Sequence, residues 1–144
     1  MEHCIGFIGG GNMGRAIMSC LLKAELYQPH QVMVYDAYTP VMEKLEESLH
    51  IKSTMDVTKL VKEAEIIVLA VKPQVLPDVL AELKDKIDKN KLIVVAVRTP
   101  YDINVLDVPT YVCAYEATVL SFKALVKYLT GEIEAKGILP VSVK

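Results

Sequence analysis

Cysteine is scarce in this 144-residue sequence, and its spacing excludes two protein classes at once. Cys4, Cys20 and Cys113 are odd in number and far apart, so they form neither a disulfide framework nor a zinc-binding pattern. Each sits in an apolar pattern, which reads as a reduced thiol in a cytoplasmic protein. Long hydrophobic runs are missing too. The longest, residues 66–71 and 92–97, are far too short to cross a bilayer. Neither sign of charge dominates, since the net charge is −2 and Lys and Glu are interspersed. That excludes the basic footprint of a nucleic-acid surface. Met1-Glu2-His3-Cys4 passes straight into an apolar strand, so no signal peptide is expected. Repeats, low-complexity tracts and clear linkers are all lacking. The hydrophobic share of 52% and the charged share of 24% are those of a globular chain with a full core.

What is present begins with Ile5-Gly6-Phe7-Ile8-Gly9-Gly10-Gly11-Asn12-Met13-Gly14. An apolar strand runs into Gly-x-Gly-x-x-Gly, and a helical pattern follows at Arg15. A dinucleotide-binding turn requires this strand–turn–helix context. Gly9 permits the tight turn, Gly11 lets a pyrophosphate approach the backbone, and Gly14 lets helix and strand pack closely. The N–H groups at the helix start then face the phosphates.

The apolar pattern alternates between short and long periods along the rest of the chain. Strands are expected at residues 4–8, 31–35, 50–54, 65–71, 91–97, 110–115 and 138–143. Helices are expected at 12–23, 40–49 (capped by Thr39), 57–63 (capped by Asp56), 73–87 and 120–130 (ended by Gly131). Alternating β and α units with continuously apolar strands predict an α/β, Rossmann-like, doubly wound domain. Its mainly parallel sheet carries helices on both faces, giving three layers. The first strand should be central, with residues 65–71 beside it. Residues 98–109, with Pro100 and Pro109, make an unusually long loop for such a unit.

Asp36 ends the second strand, about twenty positions beyond Gly14. An acidic residue there accepts hydrogen bonds from the ribose 2′-hydroxyl of NAD and repels the 2′-phosphate of NADP. The alternative is that Asp36 only caps its turn. No catalytic constellation is visible. His3, His30 and His50 lie at the margins of elements, Glu132 and Glu134 read as a solvated face, and no nucleophile-elbow motif occurs.

The Ile5–Gly14 segment, the helix that follows it, and Ile67-Val68-Leu69-Ala70-Val71-Lys72-Pro73-Gln74 make residues 3 to about 95 resemble the N-terminal domain of pyrroline-5-carboxylate reductases. The resemblance implies a cofactor site for NAD or NADP. Its residues would be Ile8, Gly9, Gly10, Gly11, Asn12, Met13, Gly14 and Asp36, with Ala70, Val71, Lys72 and Pro73 against the cofactor. Two departures from the family lower the expected affinity: no Arg follows Asp36, and Val57 stands where the family tends to have an Asn. Val97-Arg98-Thr99 replaces the family's Ala-Ala-Gly turn, and Arg98 offers either a new phosphate contact or a solvated charge.

From Val94-Val95-Ala96-Val97-Arg98-Thr99-Pro100-Tyr101-Asp102 through Gly131-Glu132-Ile133-Glu134 and Leu139-Pro140-Val141-Ser142, the chain is instead similar to the end of the C-terminal α/β domain of family 3 glycoside hydrolases, of the β-N-acetylhexosaminidase type. A seam inside residues 92–97 reads as a chimera of two α/β chains, engineered or naturally recombined. The expected organisation is one domain over 1–144, in which 96–144 complete the sheet begun by 1–95. Neither parent's substrate-handling domain is represented, so the resemblance implies an inactive chain with a nicotinamide dinucleotide as its partner; the alternatives are an engineered fold chimera with no ligand function and a reductase completed by a partner chain. A mainly monomeric state is expected, with an edge-to-edge dimer through residues 138–143 as the alternative.

Overall fold

The computed structural model describes residues 4–72, 74–88, 92–96, 110–113 and 118–138. Among the described residues, six parallel strands form one sheet: β1 (Ile5–Ile8), β2 (Val32–Tyr35), β3 (Lys52–Ser53), β4 (Ile66–Leu69), β5 (Leu92–Ala96) and β6 (Thr110–Cys113). Their order is β3-β2-β1-β4-β5-β6, so β1 and β4 are central neighbours and chain order reverses between them. Among the described residues, five α-helices connect or follow them: α1 (Asn12–Lys23), α2 (Thr39–Leu49), α3 (Val57–Glu63), α4 (Leu76–Leu83) and α5 (Val119–Leu129).

The strands are apolar at almost every position because both faces are covered. Alternation still sorts the side chains. Ile5, Phe7, Val32, Val34 and Val68 pack with Ile17, Met18 and Leu21 of α1, Met42 and Leu45 of α2, and Leu125 and Val126 of α5. Ile8, Met33 and Ile67 point the other way, onto Val57, Leu60 and Val61 of α3 and Leu83 of α4. Gly6 shares that second face. A Cβ there would come within 2.6 Å of Leu60, which is how α3 lies so close to β1.

The tail residues join this sheet. β6 pairs in parallel with β5, matching Ile93 to Thr110 and Ala96 to Cys113, and α5 packs on α1. Expected and observed elements differ at several ends. Thr39 is the first helical residue of α2 and not its cap; the cap position is Tyr38, whose side chain makes no capping bond. The residues 50–54 strand shrinks to two residues, because His50 takes a left-handed conformation (φ 57°, ψ 26°) to close α2. The residues 65–71 strand is shorter at 66–69, although Glu65 and Ala70 still donate to Cys4 and Ile8 across the ladder. The expected 73–87 helix is regular only over Leu76–Leu83, with Pro77 in its first turn, where its missing N–H costs nothing. Ile138 lies in no strand and is exposed; the rest of that expected strand, 139–143, lies outside the described residues. Arg98 and the loop around it also lie outside them. Among the described residues, no helix is long and apolar enough to cross a membrane.

Candidate functional site

The site forms at the carboxyl edge of β1, β2 and β4, where chain order reverses. Open α/β sheets bind ligands at such a switch point. Ile8, the last residue of β1, is buried beneath it. Gly9 then turns the chain with φ of 105°, a conformation that L side chains rarely adopt. A Cβ on Gly9 would also lie 2.5 Å from the Ala70 carbonyl oxygen, and one on Gly14 would strike the Gly9 carbonyl. Turn, helix and β4 are therefore locked together at two positions by main-chain proximity.

Gly11 is different. Its φ of −65° suits any residue, and nothing lies within 4 Å of where its Cβ would be. It is exposed, and it occupies the N-cap of α1 with no side chain capping the helix. The first-turn N–H groups from Asn12, Met13 and Gly14 thus lack a side-chain acceptor and carry the positive end of the helix dipole. This is a cradle suited to an anion, and a Cβ at Gly11 would meet only open space.

Asp36 closes the cradle from the β2 side. Its Oδ2 accepts the Gly10 N–H at 2.7 Å, and its Oδ1 accepts the Tyr38 N–H at 2.9 Å. Its own N–H points to Met42 Sδ at 3.3 Å. The turn-capping reading is therefore correct as far as it goes, but the same carboxylate also ties β2 to the glycine turn. Each oxygen keeps a further lone pair for a hydroxyl donor.

Ala70 and Val71 form the facing wall. Their atoms are those that a Cβ at Gly9 would meet, and the Ala70 side chain sits 3.4 Å from a Cβ built on Gly14. Lys72 is exposed, and its carbonyl accepts the N–H groups of Val75 and Leu76, starting the turn into α4. Pro73 lies outside the described residues. Val57, the first residue of α3, is buried in the cluster that holds Ile8 and Met33, so that position contributes packing.

Two features escaped the sequence reading. Arg15 and Lys44 line a shallow groove beside Gly11 and Asn12, with Val41 and Leu45 behind. Tyr38 and Met55, 65% and 70% exposed, stand just past the ends of β2 and β3. Nothing in the linear pattern marks either feature, because each joins residues from different helices or loops. Among the described residues there is no cluster of three His, Cys, Asp or Glu able to hold a metal ion.

This geometry defines a Rossmann-like α/β fold. The chain belongs to the family described as NADP oxidoreductase, coenzyme F420-dependent, whose model matches residues 4–98. It is homologous to pyrroline-5-carboxylate reductases. It is 41% identical over 90 residues to that of Methanosarcina acetivorans, covering 62% of this chain and 33% of that enzyme. Among solved structures, the pyrroline-5-carboxylate reductase of Coxiella burnetii is 33% identical with a TM-score of 0.59, covering 67% of this chain and 36% of that one. The Plasmodium falciparum enzyme, solved with NADP bound, is 22% identical with a TM-score of 0.53, covering 67% of this chain and 34% of that one, and supports the fold alone. The chain spans about a third of the length of the curated relatives it matches.

Proposed function

We propose that this chain binds a nicotinamide dinucleotide, NAD or NADP, as the cofactor-holding part of an oxidoreductase of the pyrroline-5-carboxylate reductase type. The observation that carries the reading is the open, uncapped glycine turn at Gly11. The turn from Gly9 to Gly14 would take the pyrophosphate. Asp36 would accept from the adenosine ribose, and a free 2′-hydroxyl suits it better than a 2′-phosphate. Ala70, Val71, Lys72 and Pro73 would flank the nicotinamide half. Once bound, the nicotinamide supplies a hydride; the protein's part is to hold and orient it. Isothermal titration with NADH and NADPH tests this. Heat from either supports the reading, whereas no heat and no thermal shift at millimolar ligand overturns it.

The 144 residues hold the cofactor without turning over substrate on their own. Support comes from the match, which takes in only about a third of each relative. Hydride transfer also needs a second wall that places the substrate against the nicotinamide. Proline-linked turnover by the pure chain would overturn this part. A reductase completed by a partner chain would then replace it.

A second reading concerns origin. The family match ends at residue 98, close to the seam expected from the sequence at residues 92–97. This favours a recombined chain, with 96–144 completing a single domain through β6 and α5. Recovery of the whole reading frame from genomic DNA would exclude an engineered origin. A reducing, cytoplasmic setting is proposed from the unbridged thiols of Cys4 and Cys20.

A further inference from the structure

We propose that Arg15 and Lys44 form a subsite for a phosphate monoester, the 2′-phosphate of NADP, in the groove between α1 and α2. The inference rests on the dinucleotide reading above and concerns which dinucleotide that site takes. The half-open groove offers about 180 Å³, enough for one phosphoryl group and some of its water. Gly11, Asn12 and Arg15 form one wall; Val41, Lys44 and Leu45 form the other. No carboxylate lines it. Among the described residues, neither Arg15 nor Lys44 enters an ion pair, so both cations are free to meet an anion.

The position relative to Asp36 is what singles out the 2′-phosphate. Gly10 also lines the groove, and its N–H is held by Asp36 Oδ2 at 2.7 Å. A ribose read by Asp36 would therefore lie beside the groove, and a substituent on its 2′ oxygen would have the groove as its neighbour. Asp36 alone argues for NAD. Its two oxygens, however, already hold the Gly10 and Tyr38 N–H groups. Two cations then stand against one carboxylate that is partly satisfied by the main chain. A guanidinium offers a fork of donors to phosphate oxygens, and an ammonium offers a mobile point charge. Together they would do the work of the Arg that is missing after Asp36, from elements remote in sequence. Both side chains are exposed, so their attraction for the phosphate is screened by salt.

Titration of the whole chain with NADPH, NADH and inorganic phosphate tests the subsite, on the wild type and on Arg15→Ala, Lys44→Ala and Lys44→Arg. Far-UV circular dichroism confirms that each variant is folded. Each alanine should weaken NADPH about tenfold, the worth of one charge-assisted hydrogen bond, and leave NADH within about twofold. Lys44→Arg should retain NADPH binding. Inorganic phosphate should compete with NADPH more than with NADH, and added salt should weaken NADPH the more. Equal losses for both dinucleotides, or no loss for either, overturn the subsite and leave the dinucleotide reading intact. Phosphate binding that needs Arg15 and Lys44 while NADPH does not would assign the groove to a free phosphate and overturn the proposal. Failure of both dinucleotides to bind overturns it together with the reading it rests on.

Discussion

Asp36 Oδ2 accepts the Gly10 N–H at 2.7 Å, joining the end of β2 to the glycine turn 26 positions earlier. The bond ties the cradle to the end of β2. Asp36→Ala should leave the Gly10 donor without this partner and loosen the turn. A part-buried hydrogen bond to a charged group is worth about 1.5–3 kcal/mol. Urea unfolding should show a loss in that range, and NADH affinity should fall more than NADPH affinity, since the deleted charge also repels a 2′-phosphate.

Gly11 and Gly14 should respond in opposite ways to added bulk. Gly11→Val meets open space at an ordinary φ, so stability should change by less than about 1 kcal/mol while dinucleotide binding is lost. Gly14→Ala drives its Cβ into the Gly9 carbonyl, so about 1–3 kcal/mol of stability should go. Denaturant melts beside ligand titrations separate the two. A Gly11→Val protein that still binds would show that the cradle is not the pyrophosphate site.

Asp56 caps α3 by accepting the Thr58 N–H at 2.8 Å. The Thr58 N–H bond, ahead of a weaker opposing effect of desolvation, holds its carboxyl below the ordinary value of 3.8. A lowered folded-state pKa means that the cap contributes fully above the unfolded value. Its contribution is lost as pH falls through the lower, folded value. Asp56→Asn should therefore flatten the pH dependence of stability below about pH 4. Melting curves of both proteins between pH 6 and pH 3 check this, and parallel profiles would rule it out.

The Cys4 thiol is raised above its ordinary value, chiefly by burial, with Lys52 opposing and Glu63 and Glu65 adding to the shift. Less thiolate at neutral pH means slow alkylation. Mass spectrometry after brief iodoacetamide treatment at pH 8 should find Cys4 largely unmodified in the folded chain and fully modified in urea.

Assembly follows from the sheet's edge. Of the two edge strands in the described sheet, β3 is only two residues long and β6 four, so each offers a short ladder to a second copy. Sedimentation equilibrium should return mainly the 16.0 kDa monomer. A mass of twice that, independent of concentration, would reveal an interface elsewhere.

The legible parts of this protein share a property: their chemistry is complete within a few residues. Gly9 to Gly14 carry their own turn, close approach and helix start, and α1 runs over Asn12–Lys23 as its pattern indicates. Asp56 reaches a donor only two positions away. Apolar runs that leave no solvent face imply a doubly covered sheet, and the central place of β1 follows from the fold class. Tertiary structure decided the rest, because those features depend on which segments meet. Phe7 and Ile8 are equally apolar neighbours, yet one packs under α1 and the other under α3. Asp36 could not be seen as both a turn cap and a tether until β2 lay beside β1. Arg15 and Lys44 face one groove only because Gly10 lacks a Cβ. Such an atom would lie 2.7 Å from Val41 and 2.8 Å from Leu45, so its absence lets α2 pack against the turn. Local backbone chemistry is written in the order of residues; charge placed across elements exists only once packing brings them together.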